Sequence, residues 1–505
     1  MTEPTTTTAD APPGPEARSS VERIVSALEA AGDRVVLEHP DGETTGAALL
    51  ASIRRYARAM DGLGIGTGDL VAQYGPNRPE ALAVRYATHL VGAAAVYLSA
   101  PPGADRRAQQ LAQIDPRLVV VFPQTAHWLP ETTAPVAAVG AVDGVPLRLD
   151  ELAADLPDDP FPSRARLGEL GTVLSSGGTT GIPKASIRDG AAWAAAVATP
   201  PRPERRQLAS GAEAYLTQIL VAQTIIGGGT VVLRDDSDPA ALLEQIETQR
   251  ITDLFLVEPQ LAALIDHPDV GSRDLSSLRT LTHIGASAPP ALRRRAYERL
   301  GPVLQHTYGA SEMGIVSALR PDEYDPTDPE RATSAGRILP GVDVRLRAAD
   351  GTLDPSSGSI EVRSAAMAHG YRNRPQEQAE HFVDGWYRTG DLGRLGDDGH
   401  LHILGRAADC RVVGGWLVTP TAVEDTLMRT PSVRYAVCVV DGDRRVIAAL
   451  PWPDDAIDAQ ACRDAVAAEH GDAVADSLVV VPMADLPLTE QGKPDRAAIL
   501  AAAPA

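Results

Sequence analysis

Lysine is nearly missing from this chain. Of its 46 Lys and Arg residues only two are lysine, Lys184 and Lys493. Aromatic residues make up 4% of the 505. That excludes an interior built on stacked rings, so packing must rest on Val, Leu, Ile and Ala. Three cysteines, Cys410, Cys438 and Cys462, are an odd number at spacings unlike any zinc site. They exclude a disulfide framework and fit a reducing cytoplasm. The eleven histidines contain no H-E-x-x-H pattern or comparable cluster. Positive charge is short overall: the formal net charge is −21. This excludes the basic surface that a nucleic-acid backbone needs, and solubility is the ordinary meaning of such a charge. Long apolar runs are also lacking. The longest, AYLTQILVAQTIIGGGTVVL from Ala214, is broken by Gln, Thr and three glycines. It reads as a buried helix running into a strand, with no membrane partner implied. The opening MTEPTTTTADAPPGPEARSS lacks the basic start and apolar core of a signal peptide. Residues 1–20 read as a disordered tail, and a cytoplasmic location is expected.

What the chain has in quantity is ordinary globular material, 44% hydrophobic and 22% charged. Its length calls for at least two domains. From about residue 20 to residue 400 helical and strand patterns alternate. GAALLASIRRYARAMDGLGI and RPEALAVRYATHLVGA have helical spacing. DLVAQYG, AAVYLS, DPRLVVVF, GTVVLR and ITDLFLV are short apolar, mostly β-branched runs bounded by Pro, Gly or Asp. Strands separated by helices of this length predict an α/β fold of layered, mostly parallel sheets. Beyond residue 405 the texture changes. VRYAVCVV, a DGD turn and RRVIAAL predict a hairpin, DAQACRDAVAAEHG a helix and SLVVVP a strand. The expected organisation is a large domain over 21–405 and a small α+β domain over 406–505. The polar, Gly-flanked LGRAADCRVVGG is the linker or hinge between them.

The first lysine lies in LSSGGTTGIPKAS, residues 174–186. Seven positions, Ser175 to Gly181, hold three glycines and four hydroxyl residues. Glycines let backbone N–H groups approach a phosphate, hydroxyls add donors, and Lys184 adds a point charge. The stretch is not the G-x-x-x-x-G-K-[ST] loop, because Ile-Pro separates Gly181 from Lys184 and Ala185 follows.

SGGTTGIPK resembles the phosphate loop of the adenylate-forming superfamily, which comprises acyl-CoA synthetases, peptide-synthetase adenylation domains and luciferases. Four more motifs follow in the family's order: HTYGASEMG (306–314), GWYRTGDLG (385–393), LGRAAD (404–409) and LPLTEQGK (486–493). The resemblance implies a stand-alone ligase of acid–CoA type with a small mobile lid domain carrying the catalytic lysine. The implied chemistry is attack of a carboxylate on the α-phosphate of ATP, giving acyl-AMP and pyrophosphate, then transfer to the thiol of coenzyme A. Lys493 matches the lysine that bridges carboxylate, ribose and α-phosphate. Ser176, Gly177, Gly178, Thr179, Thr180, Gly181 and Lys184 match the loop over the β- and γ-phosphates, with Thr180 counted among the catalytic groups. Glu312 matches the ligand of Mg²⁺, Asp391 the acid that takes both ribose hydroxyls, and Arg406 an arginine near the same ribose. Gly285, Ala286, Ser287, Tyr308 and Gly309 are expected to border adenine and the acyl pocket. Two lysines surviving at both family lysine positions fits a compact ammonium on a flexible stem, which the planar fork of arginine does not replace.

Three departures fall outside the first half-reaction. Ala408 stands at a hinge position that is usually Asp or Lys, although Asp409 follows as expected. Val412 stands where the family often carries a lysine used after adenylation. LASGAEAYLTQ has Ser210, Gly211 and Glu213 where an aromatic or His gate is common. They keep open an adenylate-only enzyme that hands acyl-AMP to a separate acceptor enzyme or carrier protein, and a diazotase using nitrite and an aryl amine. A nucleotide-binding regulator without turnover is disfavoured by Lys493, Glu312 and Asp391. Monomer and homodimer both stay open, as does the identity of the acid.

Overall fold

The computed structural model describes residues 18–98, 100, 103–175, 184–211, 216–284, 288–489 and 491–504. Most of the expected tail, the glycine-rich stretch 176–183, Glu213 and residues 285–287 lie outside them. The described residues begin within the segment read as a tail. Ser19 caps the helix Ser20–Ala31 in a reciprocal arrangement with Glu22, whose carboxylate accepts the Ser19 N–H at 2.8 Å.

Two large sheets form the body of the molecule. The nine-stranded sheet runs, from one edge, Arg337–Ile338, Gly314–Leu319, Leu304–Ala310, Thr280–Ile284, Asp253–Val257, Arg206–Ser210, Thr230–Arg234, Val35–His39 and Gly42–Thr45. Its central pairs are parallel and its edge pairs antiparallel. The seven-stranded sheet is parallel from Leu170–Ser175 through Ala94–Tyr97, Leu70–Tyr74 and Leu118–Val121 to Val136–Ala138. The helix Pro79–Leu90 buries every residue except Glu80. It is buried all round although it carries Arg85, Thr88 and His89, and it shares an apolar cluster with residues of both sheets, such as Val120 and Val231. The helix Leu216–Ile226 and strand Thr230–Arg234 realise the long apolar run as a buried helix feeding a strand.

The alternation of helix and strand did not anticipate a third sheet, which is antiparallel throughout. Val342–Arg347, Ser357–Ser364, Trp386–Leu395 and Phe382–Val383 lie in that order, and Leu401–Arg406 adds to Trp386–Leu395. Between residues 342 and 406 the one helix is the short Pro375–His381, and all but one of the sheet's pairs join consecutive strands; Ser357–Ser364 instead pairs with Trp386–Leu395 across that helix.

The remaining chain holds the hairpin Val433–Asp441 with Arg444–Pro451, joined in parallel by Leu478–Pro482 and flanked by Pro420–Met428, Ala459–His470 and Arg496–Ala502. The stretch read as a linker is shorter than expected. Its first residues finish the strand Leu401–Arg406, and Arg411–Val413 pairs with Trp416–Val418. This C-terminal unit packs on the helices of the nine-stranded sheet, so Leu261 and Leu292 share one cluster with Val423 and Val437. Polar ties reinforce the contact. The Tyr435 hydroxyl donates to Glu258 Oε1 at 3.0 Å, the Ala291 N–H donates to Asp425 Oδ1 at 2.6 Å, and Arg295 donates to the Arg434 carbonyl at 2.9 Å.

Candidate active site

Strand ends from all three sheets meet at one place. Ser175 ends the strand before the glycine-rich stretch, and Ala185 starts the antiparallel strand after it, directly opposite Ser175. From the nine-stranded sheet, Leu304–Ala310 delivers Tyr308 and then turns through Glu312 into Gly314–Leu319. Gly309 is required in that turn, because a Cβ there would lie 2.5 Å from the Gly314 carbonyl oxygen. Serines stitch the two sheets together. Ser186 Oγ donates to the Ser311 carbonyl at 3.0 Å, and Ser311 Oγ to the Ser175 carbonyl at 3.3 Å.

The third sheet contributes Asp391 and Arg406, paired directly across two strands. Asp391 is 5% exposed and both its oxygens are engaged. The Tyr308 hydroxyl donates to Oδ2 at 2.6 Å, and Arg406 Nε lies 3.2 Å from Oδ1. Burial pushes the Asp391 carboxyl above its ordinary range, while Arg406 and the Tyr308 hydrogen bond pull it back. Arg406 is itself fixed by donating to the Thr389 carbonyl at 2.7 Å. Asp391, held in place by Arg406 and Tyr308, is a rigid two-oxygen acceptor with further lone pairs for a diol.

Glu312 is 7% exposed, and its Oε1 accepts the Tyr371 hydroxyl at 3.1 Å. Arg188, buried beneath, donates to the Ser311 and Ala366 carbonyls at 2.6 and 2.8 Å. Burial lowers the Arg188 guanidinium to about 10, against the pull of Glu312. Among the described residues no three His, Cys, Asp or Glu side chains converge on a common point. A lone buried carboxylate suits Mg²⁺, which keeps most of its shell for waters and substrate phosphates. Lys184 enters from the other side. Its Nζ is 3.2 Å from His381 Nε2 and sits over the Tyr371 ring at 5.0 Å.

Lys493 completes the arrangement from the C-terminal unit. It closes a tight turn in which Thr489 N donates to the Lys493 carbonyl at 2.8 Å. Gly492 in that turn has φ +72°, a left-handed conformation that favours glycine, and a Cβ on it would press on the Val257 side chain at 3.1 Å where the turn sits against the large body. Burial lowers the Lys493 ammonium, Arg406 pushes the same way, and Glu312 opposes both. The chain thus brings together Lys184, Tyr308, Gly309, Glu312, Asp391, Arg406 and Lys493. Ser176, Gly177, Gly178, Thr179, Thr180, Gly181, Gly285, Ala286 and Ser287 lie outside the described residues. Tyr371, His381 and Arg188 escaped the reading of the sequence. Tyr371 and His381 flank a segment rich in Arg, Gln and Glu that looks like surface, and the only signal was its position just before GWYRTGDLG.

The departures have structural correlates. Asp409 forms a two-pronged pair with Arg496 at 2.7 and 2.9 Å, tying the segment after Arg406 to the helix Arg496–Ala502. Ala408 offers only its carbonyl, to Arg411 at 2.6 Å. Val412 is 71% and Trp416 80% exposed. Ser210 ends a strand, and the Gly211 carbonyl accepts from Asn77 at 2.7 Å. No helix among the described residues is long and apolar enough to cross a membrane.

Known proteins resemble this chain over most of its length. The family of AMP-binding enzymes matches residues 25–372. A medium/long-chain-fatty-acid–CoA ligase of Mycobacterium tuberculosis, FadD8, is 33% identical over 95% of this chain and 89% of its own length. A feruloyl-CoA synthase of an Amycolatopsis species is 31% identical over 80% of this chain and 82% of its own. Among solved structures, the amide bond synthetase McbA from Marinactinospora thermotolerans superposes with a TM-score of 0.84. It is 30% identical and covers 95% of this chain and 99% of its own.

Proposed function

The chain belongs to the AMP-binding enzyme family and is an adenylate-forming acid ligase, and we propose that it activates a fatty or aryl carboxylic acid and transfers it to coenzyme A. A carboxylate oxygen attacks the α-phosphorus of ATP. The bond to the bridging oxygen breaks and pyrophosphate leaves with the electron pair. The coenzyme A sulfur then attacks the acyl carbonyl carbon, AMP departs, and the thiol proton goes to solvent. The observation that carries the assignment of roles is the buried Asp391, held by the Tyr308 hydroxyl at 2.6 Å and by Arg406 Nε at 3.2 Å beside the buried Glu312, with Lys493 near enough for the charges of Arg406 and Glu312 to act on it. In a protein of net charge −21, a desolvated ammonium at this point offsets the repulsion of two anions.

Asp391, held by Tyr308 and Arg406, orients the ribose. Lys184 faces the β- and γ-phosphates from the end of the glycine-rich stretch, with Thr179 and Thr180 supplying hydroxyl donors. Glu312 would hold Mg²⁺, which when bound neutralises charge on the phosphates. The class of acid rests on relatives. Names among them specify medium- and long-chain fatty acids, ferulate and indoleacetate.

A second reading has a specific observation behind it: the likeness to an amide bond synthetase extends over nearly the whole chain. In it the adenylate meets an amine, or is passed to a carrier protein, such as relatives named as acyl-carrier-protein ligases use. Acid-dependent ATP–pyrophosphate exchange over fatty, benzoic, cinnamic and indolic acids tests the first step. Coenzyme A, amines and a carrier protein added to the charged enzyme separate the acceptors. A flat panel with nitrite- and amine-dependent release of AMP would replace the carboxylate reading.

A further inference from the structure

Lys184 is held by a histidine whose protonation the backbone dictates. His381 closes the short helix Pro375–His381 and is half-buried. Its Nδ1 lies 3.2 Å from the Arg388 carbonyl oxygen. A carbonyl only accepts, so Nδ1 carries the proton. Its Nε2 lies 3.2 Å from Lys184 Nζ, and an ammonium only donates. Nε2 therefore presents its lone pair, and the ring is the neutral Nδ1–H tautomer. A doubly protonated ring would set N–H against N–H at this distance. Two contacts consequently fix one chemical state of the ring and one direction for the ammonium, which also rests over Tyr371.

The strand Trp386–Leu395 gives this contact its reach. Its Arg388 carbonyl orients His381, its Thr389 carbonyl orients Arg406, and Asp391 itself follows. One strand thereby sets the ribose acid, the neighbouring arginine and, through His381, the phosphate-facing lysine. On the far side Tyr371 joins Lys184 to Glu312 through its ring face and its hydroxyl.

We propose that His381 is a positioning residue for Lys184: its neutral Nε2 accepts from the ammonium and holds it aimed at the nucleotide's terminal phosphates before ATP arrives. This rests on the reading of Lys184 as a phosphate-binding group. The ordering of a flexible four-carbon stem is made in the free protein, so less of it is lost on binding. The competing role for His381 is purely local, as the basic residue in the last turn of its helix.

The test is MgATP affinity by isothermal titration calorimetry, which needs no acid substrate, with melting temperature recorded for every variant. His381→Ala weakens MgATP binding about tenfold, the scale of one hydrogen bond to a charged group, and by no more than Lys184→Ala does. His381→Gln restores binding to within about threefold, because its carbonyl can accept from Lys184 while its NH₂ donates to the Arg388 carbonyl. In the Lys184→Ala background, His381→Ala adds no further loss, since the group it aims is gone. Equal losses in both backgrounds, or unchanged affinity in His381→Ala, overturn the positioning role while leaving the nucleotide reading intact. Absence of MgATP binding by the unaltered protein overturns both.

Discussion

Asp391 and Val412 stand a short way apart on the same chain and are held in opposite manners. Asp391 is buried, with Tyr308 on one oxygen and Arg406 on the other. Val412 sits on a two-stranded hairpin with Trp416 and Leu417, and all three apolar side chains face solvent. On the first side nearly every polar atom is tied into three sheets at once. On the second, one cross-strand ladder and the Asp409–Arg496 pair do the holding. The candidate nucleotide-binding carboxylates Asp391 and Glu312 are buried and held by hydrogen-bonding partners. Residues by which this chain departs from its family's pattern lie where substitution disturbs little packing. The comparison sets a tightly held group of candidate nucleotide-binding residues beside drift at positions the family links to the later step.

The largest expected effect is on the first side. Lys493→Ala lowers acid-dependent pyrophosphate exchange roughly 10²–10³-fold, as loss of one preorganised charge at a reacting phosphorus does, with the melting temperature unchanged. Exchange within a few-fold of the unaltered rate would remove Lys493 from the chemistry. Next comes Tyr371→Phe, which leaves Glu312 Oε1 without its hydroxyl donor. A hydrogen bond to a charged group corresponds to about tenfold or more in kcat/KM for MgATP. An equal effect in Glu312→Gln, with no added loss in the double variant, would confirm that Tyr371 acts through Glu312.

A pH effect of intermediate size belongs to the junction between the two units. Glu258 and Glu424 face each other there, with Tyr435 on the first and the Cys438 N–H on the second. Burial pushes both carboxyls up, and the charge of Glu258 raises Glu424 further, whereas Arg496 lowers it and Asp409 raises it. The docked state therefore prefers them protonated. Its contribution is full below the ordinary carboxylate range and is lost as pH rises through the raised values. The melting temperature of the unaltered protein should fall more steeply from mildly acidic to mildly alkaline pH than that of Glu424→Gln. Parallel profiles would show that the pair does not titrate across this range. The smallest effect is expected at Val412→Lys. Pyrophosphate exchange stays within about twofold, as for exposed sites generally, while the rate of thioester formation changes. A large loss of exchange would erase the contrast between the two sides.

Local pattern made much of this legible. Helices such as Gly46–Gly62 and the hairpin Val433–Asp441 with Arg444–Pro451 follow from periodicity and turn chemistry. Glu312, Asp391, Arg406 and Lys493 could be named because each sits in a short motif whose spacing its own turn or strand fixes. The antiparallel third sheet was harder to see, because its strands read alone as more of the same alternation.

The sequence by itself determined the kind of protein: an acidic α/β ligase of the adenylate-forming type, with lysine at two positions and arginine everywhere else. Only the tertiary structure decided which distant side chains meet. Lys184 and His381 are separated by 197 positions, and Glu258 and Tyr435 by 177. No periodicity relates residues so far apart. They meet because burying the apolar faces of three sheets and the C-terminal unit leaves one arrangement of strand ends, and polar groups brought to such a junction must find partners there.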